Sequence, residues 1–287
     1  MKIAVVTDST AYLSAEQIKE NDIHIVPIPF ILDGKSYDEG IDITTEEFYE
    51  KLRTSETFPS TSQPPIGKLI ELYESLGDQD YDAVISIHLA GTISGLVQTL
   101  ETVKDTVDNI QVVPVDSEIT VMLMGYLAIE AARMAKQGKD LDEILARLDH
   151  LKKTTNEYFV VDDLQNLVRG GRLSNAAAFV GSVFKIKPIL TFDDETDKIV
   201  AFDKVRSSKR ALKRVEDLFE EDTKDLTYPI KMLVIHANNE EAAKEWQAKL
   251  AKKYPNNSIE ISYFGPVIGT HLGENALALG WMEDIDK

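Results

Sequence analysis

Hydroxyl side chains follow several apolar runs of this chain, at the points where strands would end. The richest segment, Pro59-Ser60-Thr61-Ser62-Gln63-Pro64, holds three hydroxyls and an amide between two prolines. Similar short polar loops after apolar runs occur at Thr7-Asp8-Ser9-Thr10, Thr92-Ile93-Ser94-Gly95, Asp116-Ser117 and Gly265-Pro266-Val267-Ile268-Gly269-Thr270-His271. Because ligands of α/β sheets bind where strands end and loops begin, these segments suggest parts of one site.

The hydroxyls suit a carboxylate or phosphate ligand, although each segment also has a simpler explanation. Thr61 and Ser62 would donate hydrogen bonds from a loop that its prolines stiffen, but the segment by itself is more typical of an ordinary turn. Ser94 lies at a predicted helix start, where free N–H groups favour an anion and where a plain N-cap is also expected. A nucleophile elbow needs glycine two residues before and after the serine, and Gly91 and Gly95 do not have that spacing.

A histidine and an arginine beside glycines are further candidates. His271 follows a glycine-rich turn and is either a donor at the mouth of a site or a structural residue. Gly170-Gly171-Arg172 precedes a predicted helix capped by Ser174, and the glycines suggest close approach to an anion or a solvated surface turn. The five histidines lack metal-ligand spacing, and neither a P-loop nor Gly-x-Gly-x-x-Gly occurs, so we expect no metal and no standard nucleotide site.

Composition narrows the classes of partner and the compartment. With 31 Lys+Arg against 49 Asp+Glu, a net charge of −18 argues against nucleic acid or an anionic membrane surface. No cysteine is present, which excludes disulfides and a thiolate nucleophile. The N-terminus does not resemble a signal peptide, which predicts a cytoplasmic location. The longest apolar run, 119–135, contains Glu130 and Arg133 and is too short to insert stably in a membrane, so we expect a buried helix.

Periodicity predicts an α/β protein of two domains, 1–157 and 158–287. Strands at 2–6, 23–30, 83–88 and 111–115 alternate with amphipathic stretches, which is typical of a three-layer parallel sheet with helices on both faces. Asp116-Ser117 is expected to cap the helix that follows. The second half contains strands at 158–161, 186–192, 199–205, 231–236 and 259–264, then a glycine-rich tail. A hairpin through 193–197 indicates a mixed α/β sheet.

The ordered set of motifs resembles the DegV family, whose better understood members are the fatty-acid-binding subunits (FakB) of a bacterial fatty acid kinase. The resemblance spans nearly the whole chain. It rests on the polar loops quoted above together with Gly170-Gly171-Arg172-Leu173-Ser174 and Lys187-Pro188, which occur in family order. It implies a non-catalytic protein without a cofactor, which binds a long-chain fatty acid between two DegV-like α/β domains.

The resemblance also implies roles for individual residues. The fatty-acid carboxylate would be held by Thr61, Ser62, Ser94, Gly95 and His271, and a protonated His271 would add countercharge. Arg172 and Arg206 would contact the phosphorylated head group or a separate ATP-dependent kinase subunit. The candidates for lining the acyl tunnel are Phe30, Met122, Met124, Phe179 and Phe184.

Departures from the family pattern leave other functions open. Leu96-Val97 follows Ser94-Gly95 where the family commonly has Thr-Tyr, and Gly273-Glu274-Asn275 replaces Gly-Pro-Gly. The proposed donors are retained, so these differences question kinase partnering more than lipid binding. One alternative is a small-molecule phosphotransferase or hydrolase using Ser94, His271 and Asp8 or Asp116. Another is a lipid-sensing regulatory protein.

Overall fold

A computed structural model describes residues 1–162, 164–179 and 186–287. The strands are β1 Ile3–Asp8, β2 Ile23–Val26, β3 Pro29–Leu32, β4 Lys35–Asp38, β5 Ser60–Thr61, β6 Ala83–His88, β7 Gln111–Asp116, β8 Asn156–Val160, β9 Lys187–Phe192, β10 Ile199–Val205, β11 Ile230–His236, β12 Ser258–Tyr263 and β13 Leu277–Glu283. The helices are α1 Ala15–Asn21, α2 Thr45–Thr54, α3 Ile66–Gly77, α4 Leu96–Val103, α5 Val121–Lys136, α6 Leu141–Thr154, α7 Gln165–Gly170, α8 Ala176–Phe179, α9 Ser208–Thr223, α10 Glu240–Lys253 and α11 Pro266–Leu272.

The chain divides by its contacts into two compact units. The first contains residues 1–44 and 61–154, and the second contains 45–60 and 155–287. Each unit is α/β, as the sequence pattern predicted. The domain boundaries predicted above, 1–157 and 158–287, stay a prediction, because units defined by contacts do not establish which segments fold independently.

A parallel sheet with strand order β2-β1-β6-β7 forms the centre of the first unit. Every residue of β1 and β6 is buried. Burial on both faces requires helices on both faces, which is the layered arrangement that the alternating pattern predicted. All four strands therefore direct their carboxyl ends to the same edge of the sheet, where Asp8, His88 and Asp116 terminate β1, β6 and β7.

The predicted strand over 23–30 was wrong in extent, because two strands of different sheets occupy this segment. β2 joins the parallel sheet, whereas β3 pairs antiparallel with β4. Asp33 and Gly34 connect β3 to β4 with φ values of 50° and 76°. Two consecutive left-handed residues match the twist of a hairpin, and Asp-Gly is a sequence signal for such a turn.

A mixed sheet with strand order β10-β9-β8-β13-β11-β12 forms the centre of the second unit. The β9–β10 pair is antiparallel, which confirms the predicted hairpin, and β11–β12 is parallel. β13 lies between β8 and β11 and is antiparallel to both. The expectation of a glycine-rich tail was wrong here, because Leu277–Met282 are buried within the sheet.

The core of the second unit is aromatic. Trp281 of β13 lies edge-on to Phe219 of α9 with ring centroids 5.1 Å apart, and Trp246 of α10 belongs to the same buried cluster. Two buried tryptophans and a phenylalanine remove a large apolar area from water, which is the main stabilising contribution of such a core. Among the helices of the described residues, none combines the length and the hydropathy of a transmembrane span.

Candidate functional site

The carboxylate of Asp8 organises the edge of the parallel sheet. It accepts hydrogen bonds from the Thr10 N–H at 3.0 Å and the Thr10 hydroxyl at 2.6 Å, both through Oδ1. Its Oδ2 accepts from the Leu89 N–H at 3.1 Å and lies 3.0 Å from His88 Nδ1. Asp8, Thr10 and His88 have no exposed surface. A buried carboxylate needs this number of donors to offset its loss of hydration.

The buried network continues from His88 to two residues that the sequence analysis did not identify. Ser86 Oγ lies 2.7 Å from both His88 Nε2 and the Tyr73 hydroxyl. Burial raises the pKa of Tyr73 to about 12. Ser86, His88 and Asp8 reproduce the hydrogen-bond order of a hydrolase triad, but each side chain is 0% exposed and out of reach of a substrate. The sequence signal was the pair of polar residues two apart in an apolar strand.

Asp116 holds the turn that follows β6. Its carboxylate accepts the Gly91 N–H at 3.1 Å to each oxygen and the Glu118 N–H at 2.9 Å. A Cβ on Gly91 would lie 2.5 Å from Asp116 Oδ2, so only glycine fits. Asp116-Ser117 does not cap α5, contrary to expectation, since Thr120 is the N-cap residue of that helix. Asp116 and Asp8 therefore both accept hydrogen bonds from backbone N–H groups.

Ser94 and Gly95 precede α4 and lie against Gln63 of the polar loop. Gly95 rather than Ser94 is the N-cap residue, so the predicted cap was wrong by one position, although Ser94 Oγ accepts the Leu96 N–H at 3.3 Å. A Cβ on Gly95 would meet Gln63 Nε2 at 2.6 Å. Gln63 Oε1 also accepts from the Thr99 hydroxyl at 3.0 Å. The structure therefore brings two of the sequence-predicted motifs together within the first unit.

Thr61 and Ser62 lie at the start of that loop. Thr61 is half-buried and ends β5, and Ser62 is exposed. The Ser62 N–H donates to the Pro29 carbonyl at 3.0 Å, and the Ser62 hydroxyl donates to the Gln63 carbonyl at 3.2 Å. The loop backbone is thus fixed to β3, as a binding loop of low entropy requires.

In the second unit, His271 lies near the end of α11 and against the glycine pair that ends α7. A Cβ on Gly170 would lie 2.4 Å from His271 Nδ1, so the imidazole ring explains this glycine. Gly171 has φ +71° and terminates α7, which explains the second glycine by backbone conformation. The Arg172 guanidinium donates to the Gly170 carbonyl. Arg172 and His271 therefore both lie close to Gly170.

The surroundings of His271 disfavour its charged form. Burial, together with the neighbouring charge of Arg172, lowers the pKa of His271 to about 4. The ring is therefore mostly neutral near pH 7, and the countercharge expected from a protonated His271 beside a bound carboxylate stays a prediction. A neutral imidazole still supplies one N–H donor. The positive charge beside the ring belongs to Arg172.

Other predicted residues lie elsewhere. Arg206 is exposed in the segment between β10 and α9. Ser174 was expected to cap a helix, but its hydroxyl donates to the Ile199 carbonyl at 3.0 Å. Glu274 lies in the Gly273-Glu274-Asn275 segment that departs from the family pattern. Its carboxylate accepts bidentate hydrogen bonds from Arg53 and one hydrogen bond from Asn238 at 2.7 Å.

Three of the five tunnel candidates are buried apolar residues of the first unit. Phe30 is 0% exposed and stacks on Tyr37 with ring centroids 5.3 Å apart. Met122 and Met124 are buried in the first turns of α5. Phe179 ends α8, and Phe184 lies outside the described residues.

Two other features of the described residues bear on ligand binding. A cavity of about 490 Å³ lies in the first unit beside β7, and its lining residues include Glu101, Lys104 and Asp105 but none of the predicted site residues. Within the described ranges, no cluster of three metal-ligating side chains occurs. The predicted absence of a metal stays a prediction for the whole chain.

This protein belongs to the α/β class. One unit is built on a parallel sheet and the other on a mixed sheet, and hydroxyl-bearing loops follow the ends of strands. The family described as "Uncharacterised protein, DegV family" matches residues 2–284. The chain is 49% identical over 280 residues to a DegV domain-containing protein of Listeria innocua, covering 98% of each chain. The chain belongs to the DegV family.

Solved structures agree in fold over the whole chain. The crystal structure of DegV, a fatty acid binding protein from Bacillus subtilis, is 46% identical with a TM-score of 0.90 and covers 99% of this chain and 100% of that one. The crystal structure of a fatty acid binding DegV family protein from Streptococcus agalactiae is 36% identical with a TM-score of 0.91, covering 99% of both chains. These comparisons confirm the predicted family and fold class.

Proposed function

We propose that this protein binds a long-chain fatty acid and presents its carboxylate to a separate ATP-dependent kinase, which forms the acyl-phosphate. The observation that carries the proposal is the whole-chain similarity to fatty-acid-binding proteins of the same family. Because the kinase consumes ATP, the proposal includes a cytoplasmic location. The protein itself would act as a carrier without a catalytic residue or cofactor.

The energetics of a fatty acid favour a binding site that combines apolar burial with a few donors. Burying about 14 methylenes at about 0.8 kcal/mol each contributes on the order of 10 kcal/mol before ordering costs. Removing the carboxylate from water costs several kcal/mol unless hydrogen bonds replace its hydration. We assign that replacement to Thr61, Ser62, Ser94 and Gly95 of the first unit and His271 of the second.

Two features of the described residues support this assignment. Gln63 joins the loop of Thr61 and Ser62 to the turn of Ser94 and Gly95, so these groups are positioned together. The neutral His271 ring contributes a hydrogen bond, and the adjacent Arg172 provides the positive charge that attracts an anion. We assign the acyl tail to the apolar set Phe30, Met122, Met124, Phe179 and Phe184.

The binding step is tested by extracting the denatured protein with organic solvent and quantifying fatty acids by mass spectrometry. We expect close to one fatty acid per chain. The double variant Thr61→Ala/Ser94→Ala should retain at least tenfold less, because two donors to a buried charge are lost. A matched control is Thr57→Ala/Ser55→Ala, outside the proposed donor set. An empty extract with no uptake of added palmitate or oleate would reject the proposal.

The kinase step has a separate test. With a fatty acid kinase and ATP, acyl-phosphate trapped by hydroxylamine should form only when this protein carries a fatty acid. Arg206→Ala should lower the rate of product formation while lipid content remains unchanged. Arg172→Ala should lower both, because Arg172 also supplies positive charge beside the proposed carboxylate site. Product formed by this protein and ATP alone would instead support the phosphotransferase alternative.

A further inference from the structure

The turn that carries Ser94 is fixed by a carboxylate from the neighbouring strand. Asp116, the last residue of β7, accepts the Gly91 N–H with both carboxylate oxygens at 3.1 Å. The N–H of Ile93 and the N–H of Ser94 each donate to the Ala90 carbonyl at 3.0 Å. Gly91 therefore lies inside a closed turn, and a displacement of its N–H would move Ser94.

Asp116 is itself held in place by its own loop and by a lysine. The Glu118 N–H donates to Asp116 Oδ1 at 2.9 Å. Lys152 of α6 donates to the Asp116 carbonyl at 3.4 Å and to Glu118 Oε1 at 2.7 Å. The Ala90 N–H donates to the Ile119 carbonyl at 2.8 Å, which gives the two loops a second link. A carboxylate fixed on several sides is suited to position the backbone that it binds.

The glycine at position 91 shows that this contact is close. Its Cβ would lie 2.5 Å from Asp116 Oδ2, a separation at which atoms must move. The φ of Gly91 is not in the left-handed region, so backbone conformation does not explain the glycine. The approach of the Asp116 carboxylate does.

We propose that Asp116 is a positioning residue, which holds the Gly91 turn so that Ser94 and Gly95 face the ligand carboxylate. This inference rests on the proposed fatty-acid function and deepens it. Asp116 touches neither ligand nor reacting atoms in this proposal, and it acts through the Gly91 N–H. The effect of removing it is therefore confined to recognition of the carboxylate and spares the acyl tail.

The test measures equilibrium binding of palmitate and of hexadecanol, which share a tail and differ in head group, to delipidated protein. Asp116→Ala should weaken palmitate binding about tenfold, as expected for losing charge-assisted backbone contacts, and leave hexadecanol binding unchanged. Gly91→Ala should weaken palmitate binding similarly. The double variant should be no weaker than Asp116→Ala, because the group that collides with the new Cβ is gone.

Asp82→Ala is the matched control, since Asp82 accepts the Lys2 N–H at 2.6 Å at the opposite end of β6. It should leave both affinities unchanged. Equal losses for both ligands in Asp116→Ala, or no loss for palmitate, would overturn the positioning role. Wild-type protein that binds neither ligand would instead overturn the proposed function, so the two failures are distinguishable.

Discussion

At the scale of single residues, the glycines of the polar motifs are explained by neighbouring side chains. Gly91 is approached by Asp116, Gly95 by Gln63 and Gly170 by His271, each with a virtual Cβ contact below 3.0 Å. A side chain at any of these positions would displace a residue of the proposed site. Each of these glycines therefore leaves space for the side chain of one neighbouring residue.

His271 provides a prediction at this scale. Because Arg172 lowers the pKa of His271, Arg172→Gln should raise that pKa from about 4 towards the ordinary value, though burial would keep it below 6.5. The measurement is an NMR titration of the imidazole carbons. Arg210→Gln, a change of an exposed arginine on α9, should leave the pKa unchanged.

The sign of the linked stability follows from the same pKa. Between pH 6.5 and about 4 the unfolded chain protonates first, so His271 reduces stability as the pH falls through this range. Arg172→Gln should lessen that reduction. An unaltered titration in Arg172→Gln would show that the arginine charge does not reach the ring.

At the scale of elements, the strand pair β8–β9 contains a buried carboxyl group. Glu157 Oε1 accepts the Phe192 N–H at 2.8 Å and lies 3.3 Å from the Thr191 hydroxyl. Burial raises the pKa of Glu157 to about 8, and the charge of Asp194 adds to the increase. The pair of strands is therefore joined by a carboxyl that is mostly protonated near neutral pH.

This carboxyl predicts a pH-dependent stability. Since the unfolded chain releases the Glu157 proton near pH 4.5 and the folded chain near pH 8, stability falls as the pH rises between these values. Glu157→Gln keeps a neutral acceptor, so its melting temperature relative to wild type should increase across that range. The measurement is thermal unfolding by circular dichroism below pH 4.5 and above pH 8.

A control for this prediction lies on the adjacent hairpin. Glu195 is exposed between β9 and β10. Glu195→Gln should change the melting temperature little at either pH, because the Glu195 side chain is exposed to solvent and its replacement removes no buried contact. A constant difference between Glu157→Gln and wild type would contradict a raised pKa.

At the scale of the whole molecule, the chain leaves the first unit at residue 45 and returns at residue 61. The intervening helix α2 belongs to the second unit. Its buried Tyr49 donates from the hydroxyl to the Phe264 carbonyl at 2.8 Å, and the hydroxyl occupies the space that a Cβ on Gly269 of α11 would need. The stability of α2 is therefore expected to follow that of α11, although Tyr49 and Phe264 are 215 positions apart in the chain.

Hydrogen exchange tests this assignment. Tyr49→Phe removes one buried hydrogen bond to the Phe264 carbonyl and should cost about 1–3 kcal/mol. We expect faster exchange in both α2 and α11 with little change in β1 and β6. Tyr73→Phe is the matched control, since Tyr73 bonds to Ser86 in the first unit and should accelerate α3 and β6 instead. Acceleration of β1 by Tyr49→Phe would contradict the assignment.

The sequence alone determined the class of fold, the family and most elements. Apolar runs with β-branched residues predicted β1, β6, β7, β11 and β12, because propensity and periodicity are local properties that neighbouring residues report. The candidate residues Ser94, Arg172 and His271 were found in the same local way, as polar groups beside glycines at strand or helix ends. The local pattern did not predict which of these residues lie close together.

The hydrogen-bond partner of each polar group depends on three-dimensional packing. The Asp8–His88 contact joins residues 80 positions apart, and β13 lies between two strands that are distant in sequence. The pKa of His271 is likewise set by burial and by Arg172. Hydrogen-bond partners, strand neighbours and desolvation all depend on long-range packing, because a buried polar group is satisfied by whatever the fold brings within about 3 Å. No local pattern contains that information.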